Sequence, residues 1–272
     1  MVNLLIVCEM DVCSVLEAQS GFCPAVVVLT CEHAGREVPD SYRALLSGQR
    51  ANLNSHLGYD PGAFGMAVRM AANLSAPLVF TNTTRLLIDT NRSLQHPHLF
   101  SSIAAGLTGE ERKRIIDRFY TPYRGGVERL IRAAVNMQHR VLHISVHSFT
   151  DVLDGVCRDV DIGLLCDTRR HSESSVCHDW LTGLNERADH LRHRLNEPYQ
   201  GVDDGLTTEL RTKFAAPVYA GLEVEVRQGL ITGARAQRAM ADLLTSCLKP
   251  LIRCAAGVCG SECGSRDSSS AQ

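Results

Sequence analysis

The sequence predicts an α/β protein of three layers, with helices on both faces of a mixed, mostly parallel central sheet. Short apolar runs rich in β-branched residues alternate with longer stretches of helical period. A chain of 272 residues with 44% hydrophobic content can bury one large core, which excludes global disorder. Several of the apolar runs also stop abruptly at His, Glu or Asp, on the sheet edge where open α/β folds bind ligands.

The first strand is the run AVVVL at 25–29, short and β-branched. Residues 41–47 read as a short helix, followed by a polar loop. A helical pattern covers 63–74, with Pro61 near its start. "APLVFTN" is a second strand, and "TRLLIDTNR" a short apolar segment closing on polar residues. The longest helical region is 109–136, with Thr108 as its cap and Glu110 and Glu111 in the first turn. "RVLHISVHSF" and "VDIGLLCD" are strands, 178–196 a helix, "GLEVEVRQ" a strand and 232–251 the closing helix. No internal repeat is present.

A formal net charge of −2, with both signs dispersed, argues against a nucleic-acid or membrane-surface binder. No apolar run approaches the length of a transmembrane helix. At the N-terminus, the apolar stretch 4–7 lacks a basic flank and is interrupted by Glu9 and Asp11, unlike a signal peptide. Residues 1–24 are read as an extension, 25–252 as the main domain and 253–272 as a disordered Gly/Ser-rich tail. The default location is the cytoplasm. Eleven cysteines form no regular framework. Cys254, Cys259 and Cys263 lack a fourth zinc ligand, so the tail reads as reduced thiols.

In "VLHISVHS", Leu142, Ile144 and Val146 share one face of the strand, and His143, Ser145 and His147 the other. His147 at the end of its strand echoes His33 after "VVVLTCE". Two histidines and a carboxylate from separate strand ends can build a three-ligand zinc site with an open position. In "IDTNR", Arg92 presents a planar fork suited to a carboxylate, Asn91 can orient it, and Arg85 is a second cation nearby. The competing reading is an Asp89–Arg92 surface ion pair. Glu223 and Glu225 fall on one strand face, and beside a metal either is a candidate base. Cys31 as a nucleophile is disfavoured, because neighbouring strand residues point to opposite faces.

Taken in order, "CEHAG", "DPGA", "TRLLIDTNR", "HSFT", "DIGLLCD", "PYQGVDDGLT" and "GLEVEVRQGLI" resemble the N-formylglutamate amidohydrolase family, over about residues 26–231. The resemblance implies a phosphorylase/hydrolase-like fold and hydrolysis of an N-acyl amide on an acidic amino acid, a small-molecule substrate. The family is similar in layout to zinc carboxypeptidases and aspartoacylase-type deacylases. By motif, Asn91 and Arg92 match their substrate-carboxylate grip, His147 their histidine after a mid-chain strand, and Glu225 their late-strand base. Arg85 would polarise the carbonyl or bind a second carboxylate.

Three departures stand out. The deacylases take two ligands from His-x-x-Glu, whereas Glu37 lies one residue too far from His33. The carboxylate ligand is therefore expected to be Asp60 of "YDPGA", with Glu32 as runner-up. "TPYRGG" places Arg124 where relatives would carry histidine, and "HSFTD" lacks the usual proline. The expected site is thus Zn²⁺, or another divalent ion, on His33, Asp60 and His147, with Glu225 as base.

Overall fold

The structure, a computed structural model, describes residues 3–5 and 26–253. Its strands are β1 (Asn3–Leu5), β2 (Val26–Cys31), β3 (Leu78–Phe80), β4 (Val141–Phe149), β5 (Val152–Leu153), β6 (Val156–Cys157), β7 (Ile162–Leu165), β8 (His193–Leu195) and β9 (Tyr219–Arg227). Its α-helices are α1 (Arg50–Leu53), α2 (Ala63–Leu74), α3 (Gly109–Ile115), α4 (Thr121–Asn136), α5 (His171–Arg187), α6 (Leu206–Lys213) and α7 (Gly233–Arg253). None of them is long and apolar enough to cross a membrane.

Seven strands form one sheet in the order β1-β3-β2-β4-β9-β7-β8. Pairing is parallel from β3 through β2 and β4 to β9, and between β7 and β8. It is antiparallel where β1 joins β3 and where β7 joins β9. The sheet is therefore mixed and mostly parallel, with helices on both sides.

β4 lies at the centre and is buried along its whole length. Its apolar face (Leu142, Ile144, Val146) joins Leu222, Val224 and Val226 of β9 in the main core under α2, α5 and α7. Trp180 is fully buried there, and its indole N–H donates to the Leu244 carbonyl at 3.0 Å. Across the sheet, α4 and α6 close a second core around Val28, Tyr123, Ile131, Leu210 and Tyr219. The polar face of β4 and β9 points to this second side, so its His, Ser and Glu residues are enclosed.

Several expected elements shift. Residues 178–196 are not one helix: α5 starts at His171, and the chain then forms β8 on the edge of β7. The early start rests on Glu173, a fully buried acid in the first turn that accepts from the Asp167 amide and pairs with Arg170 and Arg211. Residues 41–47 form a 3-10 turn at Asp40–Tyr42 and further turns, while α1 lies in the expected loop. The short apolar segment "TRLLIDTNR" stays outside the sheet, and its Leu86, Leu87 and Ile88 fill a satellite core with Phe119 and Tyr120.

The region 109–136 is helical throughout, and Thr108 caps it in a reciprocal pair with Glu111. At Ile116–Tyr120 the winding widens to a π-turn, just before Pro122, which has no N–H to give. Unanticipated elements are α6 and the β5–β6 hairpin. The hairpin turns through Asp154 (φ 51°) and Gly155 (φ 78°), an Asp-Gly turn signal present in the sequence. Apart from residues 3–5 and the Arg253 backbone, the expected extension and tail, with Cys254, Cys259 and Cys263, lie outside the described residues.

Candidate active site

The polar groups gather at the C-terminal ends of the parallel strands. Glu32 and His33 follow β2, Ser145 and His147 stand on β4, and Glu223 and Glu225 on β9. The β4–β9 register sets His147 opposite Glu225 and Ser145 opposite Glu223. Asp60 arrives from a turn whose amide donates to the His33 carbonyl at 3.0 Å. This turn is held from below by Ser148, whose hydroxyl donates to the Pro61 carbonyl at 2.8 Å.

Asp60 Oδ2 lies 3.2 Å from His33 Nδ1 and 2.8 Å from His147 Nδ1. All three side chains are buried, and their ligand atoms lie within 4.8 Å of one another. The far nitrogen of each ring is already engaged. His33 Nε2 donates to Asp89 at 2.7 Å. His147 Nε2 donates to Ser145 Oγ at 2.7 Å, and that hydroxyl donates onward to Glu32. With each Nε2 acting as a donor, both Nδ1 atoms and a carboxylate oxygen face a common point, where the charge is balanced either by protons on Nδ1 or by a cation.

Zinc bonds of about 2.0–2.2 Å would place such ligand atoms roughly 3.4 Å apart, so small shifts admit an ion. The donor set fits a divalent metal. Without one, the site holds charge as ion pairs. Burial opposes charge on His147, but its bonds to Asp60 and Glu32 raise its pKa well above the ordinary value. Burial and Arg85 also act against charge on His33, yet Asp89 and Asp60 raise it on balance. Asp60 moves the opposite way, below its usual range, because the two imidazoles outweigh its burial.

Of the runner-up ligands, Glu37 is exposed and faces Asn82. Glu32 turns away from the convergence point, accepting from Tyr123 at 2.9 Å and from Ser145, with His147 Nε2 at 3.1 Å. It orients His147 from behind. Glu32→Gln should weaken zinc binding about 10- to 100-fold, the usual effect of losing such a partner, as measured by calorimetric titration. An unchanged affinity would show that Ser145 alone sets the ring. Beneath it, His143 bridges Thr30 and Tyr219 at 2.8 Å each, and burial lowers its pKa to about 4, keeping it neutral.

Glu225 faces the same cavity, 6% exposed, and its Oε2 has no hydrogen-bond partner. Burial pushes its pKa up to about 8; His147 opposes this, and Asp60 and Glu223 add to it. Glu223 is half-buried and accepts from the Thr207 hydroxyl at 2.6 Å. Arg85, Asn91 and Arg92 line the cavity too. Asp89 does not close on Arg92 as an ion pair: it joins Arg85 at 2.7 Å and accepts from the Asn91 amide at 3.0 Å. Arg85 also reaches Asp60 at 3.5 Å. Asn91 Oδ1 accepts from the Leu206 amide at 2.8 Å, tying the 89–92 turn to the start of α6. Arg92 Nη1 donates to the Asp204 carbonyl at 3.1 Å.

The sequence reading missed the loop 199–205, whose Tyr199, Gln200, Asp203 and Asp204 complete the lining. Its polar "PYQGVDDG" run was the available signal. Arg124 is buried on the far side, donating to the Thr90 carbonyl at 3.0 Å and to Glu209. It supports the turn from behind and does not line the cavity.

A three-layer α/β scaffold with two imidazoles, a shared carboxylate and an enclosed acid at its strand ends defines a hydrolase-type protein. Residues 25–232 match the family model described as N-formylglutamate amidohydrolase. The chain belongs to the N-formylglutamate amidohydrolase family, which supports amidohydrolase activity on a small molecule.

Gene product Atu2144 from Agrobacterium tumefaciens is similar in structure, with 29% identity and a TM-score of 0.75 over 85% of this chain and 92% of that one. The N-formylglutamate amidohydrolase of Ralstonia eutropha JMP134 shares the fold, with 18% identity and a TM-score of 0.63 over 86% of this chain and 96% of its own. No curated protein matches the sequence significantly.

Proposed function

We propose that this protein is a metal-dependent amidohydrolase that cleaves the linear amide of an N-acyl, N-formyl-type amino acid. The family description makes N-formylglutamate, an acidic case, the first substrate to test. The observation that carries the reading is the convergence of His33 Nδ1, His147 Nδ1 and Asp60 Oδ2 beside the unpartnered Oε2 of Glu225. His33, Asp60 and His147 would hold a divalent ion, zinc by the chemistry of the donor set. Such an ion, when bound, supplies Lewis-acid polarisation of the scissile carbonyl and acidifies the attacking water.

The chain's own residues do the rest. Glu225 accepts a proton from the attacking water as the new C–O bond forms. It returns that proton to the leaving nitrogen as the C–N bond breaks, giving a carboxylic acid and a free amine. Asn91 and Arg92 hold the substrate's α-carboxylate and so fix the amide against Glu225. The described cysteines are all free, and Cys31, Cys166, Cys177 and Cys247 are buried, which fits a reducing, cytoplasmic setting.

The test is elemental analysis of the purified protein, combined with amine release from a panel of N-acyl amino acids before and after chelation. Hydrolysis unaffected by complete metal removal would overturn the metal role. Within the same panel, Arg92→Lys keeps the charge but loses the two-pronged fork. A lost charged hydrogen bond should lower kcat/KM roughly 10- to 100-fold for substrates with a free carboxylate. Stability should hardly change, because the side chain's bond to the protein is a single one to a carbonyl. A variant that unfolds would instead make Arg92 a structural residue.

A further inference from the structure

We infer that the side-chain subsite of this pocket selects an N-acyl amino acid whose side chain carries no negative charge, and favours a cationic one. The inference rests on the amidohydrolase reading above and narrows its substrate. N-formylglutamate would bring two carboxylates into the cavity. The guanidinium groups lining that cavity are those of Arg85 and Arg92. Arg92 has a carbonyl as its partner and, among the described residues, enters no ion pair, so it can take one carboxylate.

Arg85 is already paired. It bridges Asp89 at 2.7 Å and Asp60 at 3.5 Å. A second substrate carboxylate on the remaining N–H groups of Arg85 would stand beside Asp89 and Asp60, whose charges already offset that guanidinium. Arg158 reaches Tyr199 from outside the lining, through its hydroxyl at 3.0 Å.

The remaining wall is anionic. Asp203 accepts from the Gln200 amide at 3.0 Å, Asp204 from the Ser93 amide at 2.9 Å, and Glu223 from the Thr207 hydroxyl at 2.6 Å. Each bond uses one carboxylate oxygen, and none of the three acids is ion-paired among the described residues. Glu225, enclosed and with Oε2 unpartnered, marks the reacting end of the same cavity. A substrate gripped by Arg92 therefore meets carboxylates along its side chain. In a partly enclosed site, like charges repel and opposite charges attract with energies large enough to decide selectivity.

The experiment measures kcat/KM of the zinc-loaded wild-type protein for N-formyl-lysine, N-formyl-glutamine and N-formyl-glutamate. It also measures Kd for the same three compounds on the zinc-loaded Glu225→Gln variant. Glutamine and glutamate are matched in shape, so their ratio reads charge alone. Both the lysine and the glutamine compounds should exceed the glutamate compound, by about tenfold or more. Asp203→Lys should narrow the glutamine-to-glutamate gap.

Glutamate equal to or better than either competitor overturns the subsite, as does a gap unmoved by Asp203→Lys or a failure to bind any of the three. Binding in the expected order without wild-type hydrolysis would support the subsite and overturn the amidohydrolase reading alone.

Discussion

Glu225→Gln should keep its fold, its metal and its substrate affinity while losing about 10²–10⁴-fold in kcat, the usual contribution of a positioned general base. The amide cannot accept the water's proton, yet it fills the same enclosed space. The comparison is Glu223→Gln. Glu223 shares the strand face, but it is only half-buried and rests on Thr207, so its loss should be far milder. Single-turnover kinetics with metal analysis decide between them. Loss of metal in Glu225→Gln would make Glu225 a ligand, and nearly full activity would place the base elsewhere.

The variant has a pH signature as well. A carboxyl raised from 4.5 to about 8 binds its proton more tightly in the folded state than in the unfolded one. That stabilisation is fully present below pH 4.5 and is lost as pH rises through about 8. Metal-free Glu225→Gln should therefore melt higher than metal-free wild type at pH 8, with no such advantage near pH 4. Parallel Tm profiles across this range would show that Glu225 ionises freely in the folded protein.

The His33→Ala/His147→Ala double variant should lose metal entirely, from roughly one ion per chain to none, and with it measurable turnover. The substitution removes two of the three converging donors and leaves Asp60 without either imidazole. Circular dichroism must accompany the measurement, because Asp60, Glu32 and Asp89 lose buried partners and the variant should be less stable. Should it fail to fold, His147→Gln alone keeps most of the volume and should still cut affinity sharply. Stoichiometric metal in the folded double variant would remove the assignment. In the wild type, metal must displace protons that neighbouring carboxylates hold on His33 and His147. Uptake should release protons, and apparent affinity should fall as pH falls.

Much of the framework is legible in the sequence because it is local. Alternation of period two in "VLHISVHS" and "GLEVEV" separates apolar from polar faces, and β4 and β9 keep that division, one face in the main core and the other in the site. The helix at Ala63–Leu74 and the capped helix after Thr108 follow from side-chain period and terminal chemistry. His33 and His147 stand out because each comes near the end of a strand that carries an apolar face.

What the sequence leaves open is decided over long distances. Glu32 and Glu37 lie near His33 in the chain and Asp60 lies 27 residues on, and only folding decides which acid meets the ring. Asp60 swings in on a turn and reaches both imidazoles, Glu32 turns to Ser145 and Tyr123 on the outer side of His147, and Glu37 remains in solvent. Arg85 could have been a free cation by its position in the motif, but packing places it between Asp89 and Asp60. The buried Glu173 that starts α5, and the β8 pairing that ends the region, depend on partners many residues distant. Residue type and local period specify which groups are unusual. Their mutual distances, and hence which carboxylate meets the histidines and which cation stays open to a ligand, arise only when segments far apart in sequence close on one another.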